Sequence, residues 1–309
     1  LIKRLLKNPI SVTGLVLVLF FTLIALAAPV LAPPPRPCQP LLSYWVPAWI
    51  LEGFGQKVQP CNPYKIPQDG RWATPKPPSE KHPMGTTAYQ YDILYGLIWG
   101  TRTAFNVGLT VTLSILLIGL VLGALSGYYG RWVDELLMRI TEIFLAFPFL
   151  VAAMVLTAIL GRGLDKVMIA LVVFGWPTYA RLVRGEVLSA KEREYVLAAR
   201  ASGASDFRII FRHVLPNTIY PALVLASLDM GSMVLSAAAL SFLGLGSGTG
   251  YADWGQMISF TRNYLTDLDE YWYTVIYPGG AILFFVLGWN LLGDAFRDVL
   301  DPRLRGVKS

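Results

Sequence analysis

The sequence predicts an all-α membrane protein with six transmembrane helices, and three observations carry that prediction. Hydrophobic residues make up 54% of the 309-residue chain against 15% charged, and the mean hydropathy is +0.51, more apolar than an ordinary soluble domain. The apolar residues gather into runs long enough to cross a hydrocarbon core about 30 Å thick at about 1.5 Å per residue. The basic residues collect at alternate ends of those runs.

The first run, Pro9 to Ala32, follows Lys3, Arg4 and Lys7. It is longer than the apolar part of a secretory signal, and no small-x-small cleavage site follows it, so it reads as an anchored span. Because the sequence opens at Leu1, an initiator and a short leader are expected ahead of it. Further runs lie near Thr103–Tyr128, Leu136–Leu160, Val167–Leu188, Thr218–Leu245 and Tyr273–Ala295. With the N-terminus inside, the cytoplasmic segments hold Arg131 and Arg139, a cluster from Arg181 to Arg212, and Arg297, Arg303, Arg305 and Lys308. These are most of the 26 basic residues, so both termini are expected in the cytoplasm.

The segment from Pro33 to about Gly100 is rich in proline (PPPRPCQP, TPKPPSEKHP). It is too polar to span and too rich in proline for long helices, and this topology puts it outside. Its two cysteines, Cys38 and Cys61, are the only ones in the chain. On the oxidising side they are expected to close a disulfide worth about 3 kcal/mol on loop-entropy grounds, with two free thiols as the alternative.

A net charge of +6 and a pI near 9.3 fit a nucleic-acid binder, but no such motif accompanies the charge, and basic span ends produce the same balance. No phosphate-binding loop of the G-x-x-x-x-G-K-[ST] type is present, so ATP-driven work has to come from another chain. His82 and His213 are the only histidines; neither sits in a metal-ligand cluster or within a predicted span, which argues against a metalloenzyme and an intramembrane serine protease. His82, in the proline-rich loop, reads as a solvated loop residue.

The stretch EYVLAARASGASDFRIIFRHVLPN, Glu194 to Asn217, interrupts the apolar runs. Tyr195, Ala198, Ala199 and Ser202 share a helical face until Gly203, which can take the left-handed conformation that ends a helix. A second helix is expected from a cap at Ser205 or Asp206. Its apolar residues Phe207, Ile210, Phe211 and Val214 follow helical spacing, and Pro216 opens the next span. An amphipathic helix on the lipid surface is the plain reading. The small residues Ala198, Ala199, Ser202, Gly203, Ala204 and Ser205 suit close docking in a protein groove better.

This segment resembles the cytoplasmic signature loop of permease subunits of binding-protein-dependent ABC importers, written E-A-A, three residues, G, nine residues, I-x-L-P. Ala198, Ala199, Gly203, Leu215 and Pro216 match in spacing; Leu197 stands at the Glu position and His213 at the Ile position. Gly127–Leu150, Arg181–Val196, ALSFLGLG (Ala239–Gly246), DWGQM (Asp253–Met257) and NLLGDAFRDVLDPRLRG (Asn290–Gly306) look like the dipeptide, oligopeptide and nickel branch of that family. GTTAYQYD, Gly85 to Asp92, departs from the branch's usual G-T-D-x-x-G-R-D.

The resemblance implies a type I ABC importer permease fold with a proline-rich extracytoplasmic insert after the first helix. The chain then divides into residues 1–32 with the first span, a loop at 33–100, and a core at 101–309 with a cytoplasmic coupling loop at about 189–216. It implies a second permease subunit, two cytoplasmic ATPase subunits that carry ATP and Mg, and an extracytoplasmic substrate-binding protein, in a bacterial or archaeal inner membrane. This chain would bind no cofactor, catalyse nothing and form half of a pathway for peptides; nickel, glutathione or oligosaccharide are other cargoes of the branch. An ion-coupled secondary transporter would instead show internal repeats and broken helices around ionisable residues. A coupling helix is expected near Ala198–Phe207, with Arg200 and Arg208 offered to acidic groups of the ATPase. Asp229 falls 13 residues beyond Pro216, about 20 Å along a helix, and so near mid-membrane. It is a candidate for the pathway or a structural acid near Ser227 and Ser232. The aromatics near span ends, Trp99, Trp176, Tyr179, Trp254, Trp272 and Tyr273 among them, read as interface anchors.

Overall fold

A computed structural model describes residues 8–35, 38, 41–45, 50, 61–70 and 72–300. Lys3, Arg4, Lys7, Arg303, Arg305 and Lys308, on which the orientation rule leans, lie outside the described residues. The described chain is all-helical, with isolated bridges in place of strands. The long helices are α1 (Pro9–Leu31), α2 (Ile93–Tyr129), α5 (Leu164–Ala190), α9 (Tyr220–Phe242) and α12 (Tyr273–Leu300). Between them lie α3 (Arg131–Leu145), α4 (Phe149–Leu160), α6 (Glu194–Ala201), α7 (Asp206–Ile209), α8 (Leu215–Thr218), α10 (Trp254–Ser259) and α11 (Leu268–Tyr271).

Among the described residues five of these helices are each long and apolar enough to cross a membrane, and α3 with α4 is an apolar pair bent by 86°, the geometry of a broken span or a re-entrant loop. The run expected as one straight span over Leu136–Leu160 is therefore broken. Pro148, at φ −58° just ahead of α4, has no N–H to continue α3 and pushes Phe147 out of the helical region. The 12 residues of α4 cover only about 18 Å, too little to span alone.

The second span also differs from its expected bounds. It begins at Ile93, capped by Asp92, whose carboxylate accepts from Tyr95 N at 2.7 Å. Its 37 residues run about 55 Å, so its first turns rise out of the bundle into the loop that precedes it. Residues 61–70 and 72–92 fold as a cap over that end. Ile66 N donates to Gly250 O at 2.8 Å, Ala252 N to Tyr64 O at 2.7 Å, and Tyr95 Oη to Pro63 O at 2.7 Å. Cys38 and Cys61 are joined as a disulfide with Cα atoms 5.3 Å apart.

Under the cap, Trp99, Trp254, Tyr273 and Phe285 are buried in one cluster with Phe21 and Ile66. Trp99 donates to Ala32 O at 2.8 Å and Trp254 to Leu97 O at 3.2 Å. Trp176 and Tyr179 are buried in the other cluster. The interface-anchor reading therefore fails for Trp99, Trp176, Tyr179, Trp254 and Tyr273, which are core; Trp272 remains exposed. Trp99, Trp254 and Tyr179 donate to two carbonyls and a carboxylate that the sequence does not reveal as neighbours, whereas Tyr273 Oη is buried without a hydrogen-bond partner among the described residues.

The bundle is held by a close seam between α2 and α5. Gly119, Gly123 and Gly127 recur every fourth residue of α2, and a Cβ on each would run into Tyr179, Ala180 or Arg184 of α5. Such small-xxx-small spacing lets helices in a membrane approach where hydrophobic burial gives no drive.

Candidate functional site

The segment between α5 and α9 stands at the end of the bundle opposite the cap. Helix α6 ends in a Schellman motif: Gly203 takes φ +77°, its N–H reaches Arg200 O at 3.0 Å, and Ala204 N reaches Ala199 O at 3.1 Å. A Cβ at Gly203 would meet nothing within 4 Å, so its surface is open. Ala198, Arg200, Ser202, Gly203, Ser205 and Arg208 are exposed, Ala199 and Ala204 half-buried. Leu215 is half-buried and Pro216 exposed, both within α8.

Ser205 holds the N-cap position of α7 without a side-chain cap bond. A π-helical turn over Ile210–Val214 follows. One extra residue in that turn shifts the helical register, and the buried set becomes Val196, Ile209, Ile210 and Val214. The expected apolar face of Phe207, Ile210, Phe211 and Val214 is thereby corrected. Phe207 and Phe211 are 71% and 52% exposed, their rings 4.4 Å apart, beside the small-residue surface.

Polar contacts fasten this segment to the spans. Tyr128, at the end of α2, donates to Asp206 Oδ1 at 2.7 Å, and the Arg200 guanidinium lies over its ring at 5.9 Å. Below it, Arg184 of α5 forks onto Asp134 of α3 at 2.5 and 2.6 Å. Ser126 donates to the same carboxylate at 2.5 Å, and Lys191 reaches Gly127 O at 3.0 Å. A displacement of α6 and α7 is thus tied to α2, and through α2 to α3 and α5.

Asp229, on α9, is half-buried and accepts a hydrogen bond from Tyr179 Oη at 2.7 Å. Ser227 turns away to Val224 O at 2.7 Å. The acid's partner is therefore a phenol on α5 rather than a serine of its own helix. Among the described residues no group of three or more His, Cys, Asp or Glu side chains is placed to hold a metal ion.

Residues 119–306 match the family described as binding-protein-dependent transport system inner membrane component. The chain belongs to that family. Residues 1–41 of this permease match the N-terminal TM domain of oligopeptide transport permease C. It is 37% identical over 303 residues to the dipeptide transport system permease protein DppC of Alkalihalophilus pseudofirmus, covering 98% of this chain and 89% of the relative. Over 228 residues it is 40% identical to the glutathione transport system permease protein GsiD of Pectobacterium atrosepticum, covering 74% and 75%. Among solved structures, inward facing conformations of the MetNI methionine ABC transporter align at TM-score 0.52 with 21% identity, over 70% of this chain and 98% of that one. That likeness establishes the type I ABC importer permease fold. As a multi-pass membrane component of an ABC importer, the permease is a transport component that works with other transporter subunits.

The cap of this permease holds the polar cluster that sequence reasoning missed. His82, read as solvated, is 7% exposed. Its Nδ1 lies 2.5 Å from Asp92 Oδ2 and its Nε2 3.2 Å from Asp69 Oδ2. Both ring nitrogens thus face carboxylate oxygens. Lys76 and Lys81 also contact Asp69, at 3.1 and 2.7 Å. Lys81, Lys76 and His82 hold the Asp69 carboxyl well below the usual carboxylate range. The proline-rich loop is thus clipped onto the residue that caps α2, a pairing hidden by separations of 10 and 13 residues.

Proposed function

We propose that this permease forms half of the translocation pathway for peptides and couples it to cytoplasmic ATPase subunits through residues 189–216. The observation that carries the reading is the exposed, small-residue surface around Gly203, flanked by Phe207 and Phe211 and joined to the spans by Tyr128 and Asp206. A lipid-facing helix has no use for a Schellman turn with open space beside its glycine; a groove in a partner does. Ala198, Ala199, Ser202, Gly203, Ala204 and Ser205 form the docking surface, Arg200 and Arg208 face acidic groups of the ATPase, and Leu215 and Pro216 lead into α8. Both termini and this segment then lie in the cytoplasm, and the cap faces the substrate-binding protein.

Two permease subunits pair around the pathway, and two ATPase subunits carry ATP and Mg; this chain binds no cofactor. Nucleotide-driven closure would move α6 and α7 and, through the Tyr128 and Asp134 contacts, tilt α2, α3 and α5. Asp229 borders the path near mid-membrane, held by Tyr179. The 37% identity to a dipeptide permease along nearly the whole chain supports a peptide cargo. The similarity to a glutathione permease favours a second cargo, itself a modified peptide.

The test is uptake into vesicles that hold the permease with its neighbouring subunits. Labelled dipeptide should accumulate only with ATP and the binding protein, and ATPase subunits should co-purify with the permease. Accumulation driven by an ion gradient without ATP would refute the reading.

A further inference from the structure

We propose that a cavity between α1 and α2, at the cap end of the bundle, holds the anionic headgroup of a phospholipid, with Arg102 as its cation. The cavity is about 640 Å³, and its described lining includes Leu26 of α1, Trp45, Asn62, and Arg102, Phe105 and Asn106 of α2. No acidic residue is among that lining.

Depth is set by the hydrogen bond from Trp99 to Ala32 O, which puts Trp99 level with the end of α1. Arg102 is three residues further along α2, about 5 Å deeper, and Asn106 about 10 Å deeper. This is the depth at which headgroups give way to acyl chains. An arginine there is costly unless it meets water, a partner or an anion.

Arg102 is half-buried. Its Nη2 donates to Tyr44 O at 2.5 Å, and its guanidinium rests over the Trp99 ring at 5.3 Å. Among the described residues no carboxylate pairs with it and that carbonyl is its one hydrogen-bond partner, leaving most of its five donors unused. The ring and the carbonyl hold the fork in place. It therefore offers bidentate geometry suited to a phosphate.

The rest of the cavity distinguishes a lipid from a free anion. Leu26 is 56% exposed and Trp45 47% exposed, and only 22% of the apolar window of α1 is buried. The cavity therefore opens onto the apolar outer face of α1, where an acyl chain gains burial and a soluble anion gains nothing. Polar groups at Asn62 and Asn106 flank the headgroup position, and Phe105 and Leu26 receive the chain.

The experiment is native mass spectrometry of the full chain within the assembled importer, exposed to equal amounts of phosphatidylglycerol and phosphatidylcholine with identical chains. The wild type should retain one phosphatidylglycerol with about tenfold preference, the ratio one charge-assisted contact supplies. R102Q should abolish the preference. L26W, which leaves the Arg102 contacts in place and fills the chain groove, should abolish retention while leaving assembly intact; it decides the matter if R102Q does not fold. Equal retention of the two lipids by the wild type would overturn the proposal, as would undiminished retention in L26W. Displacement by glycerol phosphate or inorganic phosphate at the lipid's concentration would assign an anion site without a lipid, and displacement by dialanine a peptide carboxylate site; either overturns the lipid assignment.

Discussion

At His82 a buried imidazole lies between two carboxylates, and the pair of lysines on Asp69 completes a cluster that fixes the cap. The depressed Asp69 value has a definite sign. A carboxyl held below its unfolded value of about 3.9 contributes stability that is present above that pH and lost as pH falls through and below it. Limited proteolysis of the cap should therefore be unchanged between pH 7 and 5 and accelerate below about pH 4. D69N should show rapid cleavage already at neutral pH and little further acceleration in acid; identical profiles for the two proteins would sink this role. At Asp229, Y179F removes the one hydrogen bond seen to the acid, and a loss of about 1 to 3 kcal/mol is expected from leaving a carboxylate unpaired. Thermal unfolding in detergent reads this, and no change in Tm would show that water serves the acid equally well. Asp229 was legible as a mid-span acid from its distance to Pro216, but Tyr179 lies 50 residues away and no local pattern points to it. The same holds for His82, whose partners depend on how the loop doubles back.

Among the elements, the glycine spacing of α2 was present in the sequence and carries its own prediction. G123V places a branched side chain against the Ala180 carbonyl and Arg184 N of α5, and overpacking of about 1 to 3 kcal/mol or more is expected. Yield of monodisperse protein and its Tm should both fall, whereas G185V, at a glycine with nothing within 4 Å, should be tolerated. The broken α3–α4 span was half legible: Pro148 was visible, yet the apolar run on both sides of it outweighed a single residue when hydropathy was read over a window. The π-turn at Ile210–Val214 was not legible. Helical spacing assumes a fixed 3.6-residue period, and one added residue moved Phe207 and Phe211 from an expected inner face to the surface.

For the whole molecule, the all-helical fold and its five to six apolar helices were legible because apolar length is set by the bilayer itself. Of the cap only the Cys38–Cys61 disulfide was legible; the histidine clamp and the buried aromatics join residues across separations that no local pattern reveals. The central claim is that the segment around Gly203 leaves the membrane to meet an ATPase, and Gly203 tests it cleanly. G203D meets open space, and Asp tolerates the left-handed region better than most residues, so the fold should lose only about 1 kcal/mol. Peptide uptake and ATP hydrolysis should be measured together in vesicles carrying the assembled importer, wild type against G203D. The account predicts that G203D inserts and pairs normally while uptake per ATP hydrolysed collapses or the ATPase subunits dissociate. Uptake by G203D at the wild-type ratio, with the ATPase subunits still bound, would contradict it.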